Sequence, residues 1–365
     1  MAGFIPHGAA KMPTISIPEL GLRLQAGADD NLLKVLRRHE VPIRHSCKRG
    51  ECGSCKCRLE AGHVEMAECS ETALPRQQRE QGLILACRAR LDGDITLGLV
   101  DSDDYIAHPL RHLVATVLSL RELAPMVVAL RAQIRWADLD GAPFVFSAGQ
   151  YVRLAVGAAA APEQARAFSI ASTPVEAEYD DELEFHIRRN PDGAFSQLLG
   201  GAVAPGTSLF IEGPLGVGYF RPRHEGPLVA VGAGTGLAPM LSIVRTALAN
   251  GKTDPVVLYA GFRSAGEVYG VEALDALRRE YANFSAHLVV EEGASASQRS
   301  GLVGDALLED VADFADAKVY LAGSPAMVHA VAERLFAHGL RAGDLHADAF
   351  DAARVAVREL VPGIG

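Results

Sequence analysis

His45-Ser46-Cys47-Lys48-Arg49-Gly50-Glu51-Cys52-Gly53-Ser54-Cys55 sets three thiols at C-x4-C-x2-C spacing, and a fourth, Cys87, follows after a gap. This arrangement suits four thiolates around a 2Fe-2S cluster, one tight loop giving three sulfurs while its amides turn inward toward the cluster's negative charge. Gly50 and Gly53 permit such a backbone. A structural zinc site would use paired C-x2-C knuckles, and Cys87 has no second cysteine at that spacing. A Rieske centre needs two histidine ligands, and His45 and His63 stand in no Cys-x-His context. The ligand set read from spacing is therefore Cys47, Cys52, Cys55 and Cys87. Cys57 and Cys69 read as small buried hydrophobes outside that set.

Working outward from this loop, residues 13–100 form a small α+β unit. Strands fall around Ile15 and Leu22, a helix near Asn31 to Arg38 follows the capping candidates Asp29 and Asp30, and short strands lie near Lys56, Ala89 and Ile95, with a helical stretch near Arg76. Residues 101–110, polar and holding Pro109, suit a linker. Over 111–224, β-branched runs at Leu113–Val117, Val127–Ile134, Val152–Val156 and Leu183–Ile187, with turn signals between several of them, predict an antiparallel β-barrel. Over 225–351 the rhythm becomes strand, helix, strand, helix, the pattern of a doubly wound α/β domain with a parallel sheet. Residues 352–365 form an unassigned tail.

The bulk numbers agree with a multidomain globular protein. Of 365 residues, 49% are apolar and 22% charged, and no apolar run is long enough to span a bilayer, so no membrane role is expected. A net charge of −10 argues against nucleic acid as a partner. That charge is uneven: residues 13–99 carry 13 Lys and Arg against 12 Asp and Glu, leaving −11 for the rest of the chain. All six cysteines lie between Cys47 and Cys87, crowding that fits a metal site in a reducing compartment, and with no secretory pattern at Met1 to Met12 the expected location is cytoplasmic.

The loop 45–55 resembles the plant-type ferredoxin family, and the segments downstream resemble the ferredoxin-NADP reductase superfamily. Arg166-Ala167-Phe168-Ser169 is similar to the superfamily's Arg-x-Tyr/Phe-Ser motif, with Phe in place of the commoner Tyr. The resemblance implies that the Arg166 guanidinium meets a flavin phosphate, Phe168 stacks on the isoalloxazine and Ser169 hydrogen-bonds near the hydride-accepting N5. His186-Ile187-Arg188-Arg189 with Gly193-Ala194-Phe195-Ser196 is similar to the second flavin motif, in which a glycine and a helix N-terminus receive the pyrophosphate, implying roles for His186, Ile187, Arg188, Gly193, Ala194 and Ser196. Relatives with the ferredoxin at the N-terminus usually carry FAD, those with it at the C-terminus FMN, so FAD is expected.

Gly232-Ala233-Gly234-Thr235-Gly236-Leu237-Ala238-Pro239 follows a strand and opens a helix. Its spacing differs from the dehydrogenase fingerprint but is similar to the reductases' G-x-G-x-G/A-x-x-P loop, implying that Gly232, Gly234, Thr235, Gly236 and Pro239 cradle the nicotinamide cofactor. Arg263 ends the next strand where relatives meet the adenosine ribose, and no acidic residue stands beside it in sequence. An arginine there fits a 2′-phosphate or covers the adenine, so NADH is expected with NADPH open. Gly323-Ser324-Pro325-Ala326-Met327 is similar to the loop beside the nicotinamide, implying contacts from Gly323, Ser324, Pro325 and Met327, but Ala322 occupies the usual cysteine position, so neighbours such as Ser324 must do the placing. Phe350 either shields the flavin face or is a core residue.

The whole resemblance implies an oxidoreductase: NAD(P)H reduces the flavin, with Ser169 and Phe350 beside the reacting atoms, and electrons leave singly through the cluster to an oxygenase component. The reductase of an aromatic-ring-hydroxylating dioxygenase is favoured over that of a di-iron monooxygenase or a deoxysugar-type dehydratase. A redox-sensing binding protein is the reading from another class. Free plant-type ferredoxins are typically acidic, whereas this domain is near neutral with Lys48 and Arg49 in its loop, so the oxygenase is expected to dock on a rim containing those two residues.

Overall fold

A computed structural model of the chain describes residues 12–27, 30–39, 41, 43, 48–50, 53, 55–71, 73–100, 106, 108–135, 144–157, 165–191 and 193–350. The ligand candidates Cys47 and Cys52, a sequence turn signal at Asp140-Gly141 between two of the barrel runs, and the tail lie outside the described residues.

The first domain opens with β1 (Thr14–Ile17) and β2 (Leu22–Gln25), an antiparallel hairpin, followed by α1 (Leu32–Arg38), which buries Leu32, Leu33, Val35 and Leu36. The α1 cap is Asn31, whose side chain accepts from the Lys34 N–H at 3.4 Å. Asp30, one of the expected caps, instead accepts from the Gly27 N–H and pairs with Lys34 and Arg38, while Asp29 lies outside the described residues. Then come β3 (Lys56–Ala61), β4 (Val64–Met66), α2 (Arg76–Glu80), β5 (Leu83–Leu85), β6 (Ala89–Leu91) and β7 (Ile95–Leu99). The main sheet runs β2-β1-β7-β3-β5, with β7 parallel to β1 and antiparallel to β3, while β4 and β6 pair separately. One helix over such a mixed sheet is a β-grasp, and its core holds Ile15, Ile17, Leu32, Leu36, Leu85 and Leu97, each fully buried.

The second domain contains β8 (Arg111–Ala124), β9 (Val127–Ile134), β10 (Tyr151–Val156), β11 (Arg166–Ser169), α3 (Pro174–Asp180), β12 (Glu182–Arg188) and β13 (Ser208–Leu215). Its six strands pair antiparallel in the order β11-β10-β13-β8-β9-β12. Ile170 bridges Phe185, and the Ala171 N–H donates to the Glu184 carbonyl at 2.8 Å, so the two edges meet and the sheet closes into a barrel. β8 runs well past the expected Leu113–Val117 because register shifts after Val117 and Glu122 bend it around the barrel.

The third domain alternates β14 (Leu228–Ala233), α4 (Leu237–Ala249), β15 (Val256–Ser264), α5 (Val271–Glu280), β16 (Phe284–Glu292), β17 (Arg299–Ser300), α6 (Val303–Asp310), β18 (Lys318–Gly323), α7 (Pro325–Ala337) and β19 (Leu345–Ala349). All its strands are parallel, in the order β17-β16-β15-β14-β18-β19, with one apolar layer on each face of the sheet. The chain leaves β14 toward β15 on one side and returns through β18 on the other, so the carboxyl ends of β14 and β18 flank a topological switch point, the usual place for a ligand crevice. Among the described residues no helix is long and apolar enough to cross a membrane.

Candidate functional site

At the cysteine loop, Cys55 and Cys87 are both buried, and the Cys87 backbone N–H donates to the Cys55 sulfur at 3.5 Å. An amide aimed at a cysteine sulfur is the contact a cluster ligand needs, because it stabilises thiolate charge. Lys48, Gly50 and Gly53 all have positive φ, so the backbone curls tightly around the loop. A Cβ on Gly50 would stand 2.8 Å from the Arg88 side chain and 2.9 Å from Cys69. Burial pushes the Cys57 thiol up to about 12, which keeps it neutral. Two of the four expected ligands lie outside the described residues, and no group of three metal-ligating side chains occurs among those described.

A cavity of about 940 Å³ opens where the barrel meets the switch point of the parallel sheet. From the first flavin motif, Ala167, Phe168 and Ser169 line it. Arg166, also on β11, is half-buried, and its guanidinium donates to the Ala165 carbonyl at 3.2 Å. Phe168 packs on Phe195 with ring centroids 5.0 Å apart. From the second motif, His186 and Arg188 line the cavity, while the Ile187 side chain is buried in the barrel core as strand alternation requires. His186 Nε2 lies 3.0 Å from Glu184 Oε1, and its Nδ1 is buried with no partner among the described residues. That hydrogen bond holds the Glu184 carboxyl below its usual range.

Gly193, Ala194 and Ser196 do not line the cavity; they build the turn beside it. The Ser196 hydroxyl accepts from the Asn190 N–H at 3.0 Å, which presents the Asn190 side chain to the cavity, and a Cβ on Gly193 would stand 2.5 Å from that hydroxyl. Only a three-residue 3-10 turn, Ser196–Leu198, follows, shorter than the expected helix.

On the nicotinamide side, Gly234 and Thr235 line the cavity. Gly232 and Gly236 instead let backbones touch: a Cβ on Gly232 would stand 2.7 Å from the Gly236 carbonyl, and one on Gly236 would stand 2.1 Å from the Ala322 carbonyl oxygen. Gly234 has φ +55 and is open on its Cβ side, where the nearest atom is Arg188 Nη1 at 3.8 Å. Among the described residues no side chain caps the N-terminus of α4; its Leu237 N–H is taken by the Gly234 and Thr235 carbonyls of the 3-10 turn Gly234–Gly236 that leads into it, and Pro239, which has no N–H, is buried within the first turn. Ser324 and Met327 line the cavity, and the Ser324 hydroxyl accepts from the Met327 N–H at 3.3 Å, so it serves as the α7 cap with Pro325 in the first turn. Gly323 accepts from the Phe350 N–H at 2.8 Å. Phe350 packs on the core of the third domain and also lines the cavity.

Several lining residues carry no sequence signal. Tyr151 is register partner to Ser169, and burial, with Asp348 nearby, pushes its phenol up to about 12. Glu267 and Glu291 line the same cavity as Arg263, Glu291 on the strand that pairs in register with that of Arg263, and Glu267 also meets Arg188 at 3.4 Å. The cavity that Arg263 lines thus carries two carboxylates that do not stand beside it in sequence. Lys48 of the cysteine loop lines the same cavity, so one of the two residues expected at an outer docking rim stands at the wall of the inner cleft.

The geometry fits the three expected groups: a thiolate pair with an inward amide, a buried ring nitrogen awaiting a partner, and a bare glycine facing a guanidinium across the crevice. Family models match in the same order: a 2Fe-2S iron-sulfur cluster binding domain over residues 17–92, an oxidoreductase FAD-binding domain over 139–219 and an oxidoreductase NAD-binding domain over 230–333. The chain is 40% identical over 335 residues to the ferredoxin–NAD(P)(+) reductase component of naphthalene 1,2-dioxygenase/salicylate 5-hydroxylase systems from a Ralstonia species, covering 92% of this chain and 97% of that protein. It is 35% identical to the reductase subunit of an aromatic O-demethylase from an Amycolatopsis species, over 87% of this chain and 92% of that one. Among solved structures, an Amycolatopsis cytochrome P450 reductase superposes with a TM-score of 0.66 at 32% identity, covering 93% of this chain and 98% of the other.

Proposed function

The chain belongs to the family of ferredoxin–NAD(P)(+) reductase components that join a 2Fe-2S domain, an FAD domain and an NAD domain, and from that membership we propose that it delivers electrons from NADH to the oxygenase of an aromatic-ring-hydroxylating dioxygenase. The observation that carries this reading is the shared cavity: flavin-motif and nicotinamide-motif side chains line one cleft, with Lys48 of the cluster loop in its wall. When bound, FAD takes a two-electron hydride and the cluster passes electrons on singly, near roughly −400 mV for clusters of this type.

In this reading the domains extend over 13–100, 111–224 and 225–351. Cys47, Cys52, Cys55 and Cys87 hold the cluster. Arg166 and Arg188 neutralise phosphate charge, Phe168 stacks on the flavin, Ser169 offers its hydroxyl where hydride arrives, and His186 donates or accepts through its unpartnered Nδ1. The open backbone at Gly234 and Thr235, in the 3-10 turn that leads into α4, receives the pyrophosphate of the nucleotide. Phe350 would shield the flavin face and help exclude water from the cleft. The acceptor docks on a rim containing Arg49, with Lys48 shared between that rim and the cleft. The protein is taken as cytoplasmic, since its crowded thiols need a reducing compartment.

Anaerobic titration of the loaded protein with NADH tests the reading. The flavin absorbance should bleach and a paramagnetic signal from the reduced cluster should appear; flavin bleaching with no cluster signal in iron-replete protein would refute it. For the rim, charge reversal at Arg49 should slow oxygenase reduction and alter its salt dependence, and an unchanged rate would exclude that face.

A further inference from the structure

Lys56 directly follows the ligand candidate Cys55 and begins β3. Its side chain is buried, at 8% exposure, and its ammonium stands 4.8 Å from the centroid of the Phe336 ring. Phe336 belongs to the third domain: it lies on α7, the helix whose first turn carries Ser324 and Met327 at the cleft. A lysine ammonium leaves water only where other interactions offset its desolvation, and an aromatic face is one such partner. A second cation of the cluster domain, Lys48, lines the cleft between the barrel and the nicotinamide-binding domain. The near-neutral first domain thus turns cations toward a remainder of the chain that carries −11.

We infer that the Lys56–Phe336 contact is the anchor that docks the cluster domain on the nicotinamide-binding domain and so sets the rate of electron transfer from flavin to cluster. Both are positioning residues, and neither lines the cleft. The inference rests on the functional reading above, because it needs the flavin and the cluster in their proposed places. Each transfer event moves one electron from the reduced flavin to the oxidised cluster. NADH has supplied the two electrons and a proton as hydride, and the protons of the reduced flavin go to solvent as its electrons leave.

The test compares the loaded full-length protein with its Phe336→Leu and Phe336→Trp variants. Leucine keeps apolar volume and removes the ring's negative face, whereas tryptophan keeps that face. Mixed anaerobically with NADH, Phe336→Leu should bleach its flavin at the wild-type rate and reduce its cluster at least tenfold more slowly, with Phe336→Trp close to wild type. Hydrogen exchange in the absence of NADH should show lost protection in β3 and α7 for the leucine variant alone. Wild-type cluster reduction and protection in Phe336→Leu would overturn the inference, as would equal slowing in both variants, which would mark the ring as mere packing. If wild type itself bleaches no flavin with NADH, the functional reading falls; the exchange comparison still decides whether this contact docks the domains, and without that reading the inferred control of transfer rate falls too.

Discussion

Gly236 has room for a hydrogen and nothing larger, because the Ala322 carbonyl oxygen already occupies the place of a side chain. Gly236→Ala forces the turn Gly234–Gly236 away from β18 at the switch point, so it should destabilise the protein by about 1–3 kcal/mol, measured by urea unfolding, and weaken NADH binding in the folded fraction. Glu291 tests a different kind of residue. With Glu267 it adds carboxylate charge to the cavity that Arg263 lines, which disfavours a 2′-phosphate and favours a free ribose hydroxyl. Glu291→Lys should raise the NADPH-to-NADH ratio of kcat/KM by about tenfold, or ~1.4 kcal/mol; an unmoved ratio would remove Glu291 from cofactor choice. The sequence shows Arg263 at a strand end, but not Glu291 beside it. Their proximity is created by parallel pairing, in which Phe262 and Ser264 of β15 stand opposite Val290 and Glu292 of β16. Cysteine spacing is legible because three ligands share one loop, whereas Tyr151 meets Ser169 only through a cross-strand register.

Strand β12 couples the flavin motif to acid stability through Glu184 and His186. The folded carboxyl of Glu184 is held low, first by its hydrogen bond with His186 and against the opposing effect of burial. A carboxyl depressed in the folded state contributes stability above the unfolded carboxylate range, near roughly 4.3, and loses it as pH falls through the folded value. Glu184→Gln should therefore cost stability at pH 7 and flatten the decline below about pH 4.5, read from urea midpoints across pH. Parallel curves for the two proteins would rule out this linkage. Elements of this kind are only partly legible. β9 and β12 announce themselves as β-branched runs, but β5 is a fully buried Leu-Ile-Leu run and β13 carries Gly213-Pro214, which reads as a turn. The sequence reading also passes over α3, although Thr173-Pro174-Val175-Glu176 forms a capping box.

Across the whole molecule the three modules are legible in order, since each carries its own motif, but their contacts are not. Arg188 and Glu267 meet across 79 residues of chain, and Lys56 meets Phe336 between the first and last domains. The division of labour gives a prediction at this scale. Removing iron by chelation should leave NADH-dependent ferricyanide reduction by the flavin within about twofold of its starting rate while lowering cytochrome c reduction at least tenfold. Equal loss of both would mean that the flavin domain depends on the cluster for its own integrity. The two spectrophotometric rates, taken on one preparation before and after chelation, decide between these outcomes.

The parallel pairing of β1 with β7 also governs how the protein is made. Ile15 and Ser16 meet Leu24 and Arg23 of β2 early but find their neighbours on the other edge only at Ile95 and Thr96, so the first strand of the domain waits with one edge bare until its last strand emerges. At roughly 5–20 residues per second that wait is about 4–16 s. Cys87 appears near its close, so a nascent chain completes its set of sulfurs almost as its sheet seals, and iron delivery during translation has a narrow interval in which to act.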